Sequence, residues 1–259
     1  MGNSAALRQK LKEGQVLLGV SHSYPAAGII EGMCRGWDVV WIDVQHGEHS
    51  YDSVEHTQRA AEVMGIDTLL RVPTHDPLAI VRYADLAPSA IMVPMVDHED
   101  QAKQIATALC FPPLGNRSYG GRRTVDLHGR NYHTEPGPLV VAQIESIEAA
   151  EAASQIARVE GIDMLFFGPD DMKLRMGIPV ETPPADDPRL LDAMRATAEA
   201  ARQSGKFVGT TGATPETIQT YAAMGYQLLI GGGDFFFLHA AAAQTLDELR
   251  SALANRRKA

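Results

Sequence analysis

Short apolar runs recur along this chain at a regular spacing, and they constrain its fold more than any other feature. Eight runs of four to six apolar or β-branched residues alternate with loops and with stretches of helical periodicity. Strands buried on both faces read as continuous apolar runs, whereas half-exposed strands alternate apolar and polar residues. We therefore predict eight parallel strands, at residues 16–20, 39–42, 68–72, 90–93, 139–144, 164–167, 207–210 and 227–230.

The stretches between these runs carry the signals of helix ends. Asp76 and Pro77 supply an N-cap and a first-turn proline for a helix over 78–86, and Asp97 can cap a helix over 98–109. Further helices are predicted after Thr214-Pro215, over 147–158 and over 188–204. Eight strand-then-helix units in 259 residues predict a (β/α)8 TIM barrel. An open doubly wound sheet is the alternative, but no GxGxxG motif follows the first strand.

The barrel units leave no room for a second domain, so we expect residues 1–259 to form one domain. Residues 111–138 exceed a minimal unit and form a long insertion between the fourth helix and the fifth strand. An insertion of this length is typical of a lid, an interface or a binding element.

Composition and charge exclude several classes of function. Hydrophobic residues make up 45% of the chain, and the net charge is −9, without the basic face of a nucleic-acid-binding protein. No apolar run reaches the ~18 residues that suggest a membrane-spanning helix, and the first residues lack the apolar region of a secretory signal. Two cysteines cannot make a disulfide framework. We expect a cytoplasmic protein that binds neither nucleic acid nor membrane.

Charged residues cluster where the predicted strands end, which is where α/β barrels build their active sites. Glu145 follows the fifth strand and Asp171 the sixth, so both carboxylates should lie at one edge of the barrel. Oxygen ligands favour Mg²⁺ or Mn²⁺, with water and substrate oxygens completing the shell. The alternative is that either residue is a helix N-cap. Asp170 either caps the next helix or lies beside a bound substrate.

A histidine and an arginine are further candidates. His46 lies three residues after Asp43, and a carboxylate near an imidazole fixes its tautomer and raises its basicity. His46 is therefore a general base or a surface-loop histidine, and His22 and His49 are weaker rivals. Arg71 is charged within an apolar strand and needs a partner, which is either a substrate oxygen or a structural salt bridge.

Three other features carry less information. The glycines at 231–233 could cradle a phosphate, but a tight turn explains them as well. Asp85 lies near a predicted helix end, where a solvated face or a turn is the ordinary interpretation. Lys206 precedes the seventh strand, at the opposite end from an active site, so we do not expect Schiff-base chemistry.

Seven stretches occur in the order WIDVQHG, LLRVP, AIMVPMVD, FPPLGNRSYGG, VAQIES, VEGIDMLFFGPDDM and GYQLLIGGGD. As a set they resemble the metal-dependent (class II) pyruvate aldolases of the HpcH/HpaI type over nearly the whole chain. That group is similar to macrophomate synthase and, more distantly, to the citrate lyase β subunit. The resemblance implies a phosphoenolpyruvate/pyruvate-binding type of TIM barrel that cleaves 4-hydroxy-2-oxo acids reversibly to pyruvate and an aldehyde.

The resemblance also implies roles for individual residues and for a metal. Metal ligands fall on Glu145 and Asp171, substrate contacts on Gln143, Asp170, Asp171 and Arg71, and catalytic roles on His46 as base, Arg71, Asp43 and Asp85. The expected cofactor is a divalent metal ion, Mg²⁺ or Mn²⁺, with Co²⁺ as a third candidate. A homohexamer is implied, in which the C-terminal helix, residues 235–259, packs on a neighbouring subunit.

The chain departs from the family pattern at three positions. Many members read Asp-Gly-Glu-His where this chain has Asp-Val-Gln-His, and many have a small residue at the position of Asp170. The Gln-His-Gly version is more similar to the macrophomate synthase branch. An oxaloacetate decarboxylase or macrophomate-synthase-like enzyme is therefore an alternative. A barrel that binds a 2-oxo acid without catalysis is an alternative from another class.

Overall fold

Eight parallel strands close into one barrel in chain order, β1 to β8, with β8 paired to β1. The computed structural model describes residues 3–256, so residues 1–2 and 257–259 of the predicted domain and of its last helix lie outside the described part. The predicted (β/α)8 TIM-type barrel is confirmed. The strands are β1 Leu17–His22, β2 Val39–Asp43, β3 Asp67–Arg71, β4 Ala90–Val93, β5 Leu139–Ile144, β6 Met164–Phe167, β7 Phe207–Thr211 and β8 Leu228–Gly233.

Helices follow the strands and surround the barrel. They are α1 Asn3–Lys12, α2 Ala27–Met33, α3 Tyr51–Met64, α4 Pro77–Ala84, α5 Glu99–Leu109, α6 Arg122–His128, α7 Ile147–Glu151, α8 Ala153–Arg158, α9 Pro169–Met176, α10 Pro188–Gln203, α11 Ile218–Ala223 and α12 Asp234–Arg256. Two short 3₁₀ turns cover Tyr132–Thr134 and Pro184–Asp186. The predicted cap at α4 is present, because the Asp76 carboxylate accepts the Leu78 amide at 3.1 Å.

Three helix predictions need correction. The helix predicted over 147–158 is divided into two helices at Ala152, whose φ of −86° and ψ of −1° depart from the usual helical values. Asp97 does not cap α5; the Gln101 side chain accepts the amides there, and Asp97 instead accepts the Ser146 hydroxyl at 2.5 Å. Thr214 lies in a turn before α11, which begins only at Ile218.

The core has one layer inside the barrel and another between barrel and helices. Trp41 and Phe166 meet inside the barrel, with ring centroids 5.6 Å apart. Leu7 and Leu11 of α1 are buried against the same inner cluster, so α1 closes the N-terminal end of the barrel. The C-terminal end, where the loops after the strands lie, is therefore the end available for chemistry.

The 111–138 insertion connects α5 to β5 and so lies towards the N-terminal end of the barrel. It contains α6, and Arg123 of α6 pairs with Glu62 of α3 at 2.6 Å. A lid over the C-terminal end of its own barrel, one of the predicted alternatives, is thereby excluded. The interface and binding-element alternatives stay open.

The last helix, α12, has exposed apolar side chains along its length, including Phe236, Leu249 and Leu253. Its first residue, Asp234, accepts the amides of Ser23 and Tyr24 after β1, and α12 contacts β1 and β8. Within residues 3–256, none of the helices combines the length and the hydropathy that crossing a membrane requires.

Candidate active site

Asp43 and Arg71 form a buried ion pair at the C-terminal ends of two neighbouring strands. They lie opposite each other in the register between β2 and β3. Arg71 Nε donates to Asp43 Oδ1 at 2.9 Å, and Arg71 Nη2 donates to Asp43 Oδ2 at 2.6 Å. The guanidinium also lies 4.6 Å from the centre of the Trp41 ring. Two parallel hydrogen bonds fix the guanidinium plane as well as its position.

The pair continues into a chain of hydrogen bonds across the barrel mouth. Arg71 Nη1 lies 3.4 Å from Gln143 Oε1, and Gln143 Nε2 donates to Glu145 Oε2 at 2.6 Å. The other Glu145 oxygen accepts the Met95 amide at 2.7 Å. Met95 has a φ of 50°, an uncommon value for a residue other than glycine. At this φ, the Met95 amide is aligned to donate to the Glu145 carboxylate.

The electrostatics of Glu145 are unusual for a carboxylate. Burial, and to a smaller extent the nearby negative charge of Asp171, raises the pKa of Glu145 to about 7, against the amide of Met95 and the charges of Arg71 and Arg175. Gly168 directly follows β6, and its lack of a side chain lets the backbone there approach the side chains of Gln143 and Glu145. A Cβ there would lie 2.9 Å from both Glu145 Oε2 and Gln143 Nε2.

The donor set at Glu145 and Asp171 fits a hard divalent cation. A buried carboxylate that faces a second carboxylate is destabilised when both are ionised, and a cation between them removes that cost. Within residues 3–256, no group of three or more His, Cys, Asp or Glu side chains is arranged as a metal site. Two protein ligands would leave positions for water and substrate oxygens, as Mg²⁺ and Mn²⁺ sites commonly do.

His46 lies at the mouth of the barrel with an exposed side chain. Its backbone amide donates to Asp43 Oδ1 at 3.3 Å, as does the amide of Gln45 at 3.1 Å. In the described part of the chain, its ring makes no hydrogen bond to Asp43. The expectation that Asp43 fixes the imidazole tautomer therefore needs correction: the carboxylate is occupied by Arg71 and by the backbone of the loop that carries His46.

The family model for HpcH/HpaI aldolase/citrate lyase matches residues 25–240. The chain belongs to this family. The hydroxypyruvate/pyruvate aldolase of Rhizorhabdus wittichii is 31% identical over 92% of this chain and 96% of that protein. The 4-hydroxy-2-oxovalerate aldolase of Novosphingobium aromaticivorans is 32% identical over 96% of each chain.

Solved structures agree with the sequence comparison. An HpcH/HpaI aldolase/citrate lyase family protein from Burkholderia cenocepacia J2315 has a TM-score of 0.85 and 26% identity, covering 95% of this chain and 99% of that chain. The predicted family and class of activity are confirmed: this HpcH/HpaI family member is an enzyme, a class II aldolase.

Two residues that the family resemblance places in the site have other hydrogen-bond partners within this chain. The Asp170 carboxylate is exposed and accepts from Nζ of the buried Lys173 at 3.1 Å. Asp85 accepts from Arg117 Nη2 of the insertion at 2.8 Å, and no hydrogen bond joins it to His46. The correction for Asp85 has a topological reason: it follows α4, and the chain has turned back there towards β4.

The structure also brings together residues that the sequence left as rivals or alternatives. His22 at the end of β1 and His49 after β2 are both buried and hydrogen-bonded to each other. Their positions after neighbouring strands were the only sequence signal for this pairing. The glycines at 231–233 are the last residues of β8 rather than a turn, and a Cβ at Gly233 would lie 2.0 Å from the Ser21 hydroxyl.

Proposed function

We propose that this aldolase cleaves 4-hydroxy-2-oxo acids reversibly to pyruvate and an aldehyde, with a divalent metal ion bound by Glu145 and Asp171. The observation that carries the proposal is the continuous set of hydrogen bonds from Asp43 through Arg71 and Gln143 to Glu145. It places an oriented cation donor and an amide next to the carboxylates. The names of the two curated relatives support pyruvate as the common product.

The metal would be Mg²⁺ or Mn²⁺, with Co²⁺ as a third candidate, because the available ligands are carboxylate oxygens. When bound, a divalent ion supplies Lewis-acid stabilisation of the negative charge that develops on the oxygens of a 2-oxo acid. Glu145 is held for this purpose by the amides of Gln143 and Met95, which fix both of its oxygens. Gln143 is also placed to contact the substrate, since it lies between Arg71 and Glu145.

The protein residues divide the remaining chemistry. Among the described residues, Arg71 Nη1 has one partner, Gln143 Oε1, at the long distance of 3.4 Å. This N–H group can therefore donate to a substrate oxygen that becomes negatively charged. His46 has an exposed ring that can accept the proton of the 4-hydroxyl group. The bond between C3 and C4 then breaks, giving the aldehyde and the enolate of pyruvate, which is protonated at C3. Asp43 keeps Arg71 oriented throughout. Neither Asp85 nor the carboxylate of Asp170 has a part in these steps.

The apolar surface of α12 supports a proposed assembly, and the free cysteines support a proposed location. The exposed Leu246, Leu249 and Leu253 of α12 are three and four positions apart, so they form one apolar face on the surface of the chain. Covering this face with a neighbouring barrel, in a homohexamer, would bury it. Both cysteines are free, Cys34 in the core and Cys110 half-buried, which suits the reducing cytoplasm.

Adjacent carboxylates give the experiment a matched control. Asp171→Asn should abolish metal-dependent release of pyruvate from 4-hydroxy-2-oxo acids, and should weaken Mn²⁺ binding measured by titration calorimetry. Asp170→Asn changes the same group one position earlier, where the carboxylate pairs with Lys173, and should leave both readouts near the wild-type values. Equal effects of the two substitutions would refute the ligand assignment. Turnover of oxaloacetate without cleavage of any 4-hydroxy-2-oxo acid would reassign the enzyme as a decarboxylase.

A further inference from the structure

The loop that carries His46, residues 44–50, is held from below by the end of β1. Glu48 donates its amide to the Ser23 carbonyl at 2.8 Å. Gly47 lies so close to this segment that a Cβ would be 2.9 Å from the Ser23 oxygen and 2.2 Å from the Asp43 oxygen. The residue next to the proposed base is therefore pressed between two backbone segments, and only glycine fits there.

A buried histidine pair adds a second connection between the same two segments. His22 Nδ1 and His49 Nε2 are 3.1 Å apart, and His49 Nε2 is also 3.1 Å from the His22 carbonyl. A carbonyl oxygen can only accept, so His49 Nε2 carries the proton and donates to His22. His22 Nε2 donates to the Ala26 carbonyl at 3.2 Å, which leaves His22 Nδ1 as an acceptor. One arrangement of protons thus satisfies both rings when they are neutral.

Burial supports this neutral state. Burial first, and the neighbouring His49 second, lower the pKa of His22 to about 4, while Asp234 and the hydrogen bond to the Ala26 carbonyl oppose the shift. The pKa of His49 is also lowered by burial, against the opposing charges of Asp234 and Asp43. The His22–His49 contact would place two N–H groups face to face if His22 were protonated at Nδ1, so the pair is stable as a neutral unit.

The end of β1 is itself held by the first residue of α12. The fully buried Asp234 carboxylate accepts the amide of Ser23 at 3.0 Å and that of Tyr24 at 2.9 Å. No catalytic step described above uses Asp234, His22 or His49. They are not a metal site either, since among the residues described no three such side chains meet in ligand geometry.

We propose that His22, His49 and Asp234 are positioning residues that hold the His46 loop in its catalytic place. The contacts form a series: Asp234 holds the segment after β1, and the end of β1 with that segment holds the His46 loop through the His49 ring and the Glu48 amide. This inference rests on the proposed role of His46 as the base. It adds three residues to the reaction that touch neither substrate nor metal.

The test compares His49→Leu, which fills the space without hydrogen bonds, with His49→Gln, whose amide can still donate to the His22 carbonyl. His22→Gln is a milder variant: it removes the ring acceptor for His49 and the ring donor to the Ala26 carbonyl, and its amide can replace one of the two. His56→Leu is the matched control, because His56 is an exposed histidine on α3. The first readout is hydrogen exchange of the backbone over residues 44–50, measured by mass spectrometry on the full-length protein. The second is kcat and KM for pyruvate release.

We expect His49→Leu to speed exchange over residues 44–50 about tenfold, the equivalent of one lost hydrogen bond. Its kcat should fall about 10- to 100-fold with KM changed less than about twofold, as for a misplaced catalytic group. His49→Gln should recover most of that loss, and His22→Gln should lie between the two. In a His46→Ala background, His49→Leu should cause no further loss of kcat.

Each result separates this inference from the proposed function. We call the contacts of His22, His49 and Asp234 that hold the His46 loop the clamp. Unchanged hydrogen exchange over residues 44–50 in both His49→Leu and His22→Gln overturns the clamp, whatever the activity. Faster exchange with unchanged kcat shows that the clamp does not position the base, and so does an equal loss of kcat in the His46→Ala background. Absence of wild-type turnover refutes the proposed function instead, and the exchange data alone then decide whether the clamp holds the loop.

Discussion

Asp43→Ala removes the only carboxylate that pairs with Arg71 among residues 3–256. The side chains of Arg71 and Asp43 are 7% and 10% exposed, so the guanidinium would stay buried without a counter-ion. Exposed ion pairs contribute about 0–1 kcal/mol, whereas breaking a buried pair by removing one partner costs about 3–5 kcal/mol. The amides of Gln45 and His46 lose an acceptor at the same time.

We expect the lower end of the buried range, about 3 kcal/mol, because the pair lies at a strand end near the barrel mouth. For a chain of this size, each kcal/mol corresponds to about 2–4 °C in Tm, so Tm should fall by about 6–12 °C. The assay is urea unfolding of the metal-free protein, followed by circular dichroism at one fixed protein concentration.

The double variant Asp43→Ala/Arg71→Leu is the internal control. It removes the uncompensated charge and fills the space with an apolar side chain, so it should be more stable than Asp43→Ala by at least about 1 kcal/mol. A cost below about 1 kcal/mol for Asp43→Ala would place the pair in the exposed class. A double variant less stable than the single one would also refute the reasoning.

Three further predictions follow from the same structure. Because burial lowers the pKa of His22 to about 4, the unfolded chain binds a proton below pH 6.5 that the folded chain does not bind, so stability should fall by up to about 3 kcal/mol between pH 6.5 and 4. A pH series of urea unfolding midpoints should show a smaller fall for His22→Gln than for the wild type, and parallel curves would contradict this. Glu145→Gln should abolish Mn²⁺ binding in calorimetry yet leave the metal-free protein at least as stable as the wild type at pH 8. The reason is that burial raises the pKa of Glu145 to about 7, so its ionised form opposes folding at pH 8. A loss of stability above about 1 kcal/mol would count against the burial argument. Phe236→Ser with Leu249→Ser should convert the assembly to smaller species in analytical ultracentrifugation, and an unchanged sedimentation coefficient would exclude α12 from the interface.

The barrel could be predicted because each buried strand has a continuous apolar sequence. The strands at 90–93, 139–144 and 164–167 match the prediction to the residue. The prediction for β8 stopped at 230, whereas the strand continues to Gly233, because glycines carry no apolar signal. The break at Ala152 could not be predicted, since alanine is the residue that favours helix most.

The site was predictable where strand order decides it. Asp43 and Arg71 lie opposite each other because β2 and β3 are neighbours in sequence and in space. Whether Asp43 binds the arginine or the imidazole depends on the path of the loop, which no local pattern fixes. The ion pair of Asp170 had a sequence signal, a lysine three residues later on the same helix face.

Contacts between distant loops were beyond sequence reasoning. Asp85 and Arg117 are separated by 32 positions, and His22 and His49 by 27. Both contacts depend on where irregular segments pack against the barrel. The first gives Asp85 a partner other than His46, and the second joins the end of β1 to the His46 loop, which no motif indicated.

Exchange of the pyruvate methyl protons with deuterium tests the central claim without requiring the aldehyde to be known. The protein is incubated with pyruvate in D₂O and followed by NMR with Mg²⁺, with Mn²⁺ and with EDTA. The account predicts exchange that depends on the metal, stops with EDTA, is lost in Glu145→Gln and persists in Asp170→Asn. Exchange that is the same with EDTA, or absent from folded wild-type protein with either metal, would contradict it.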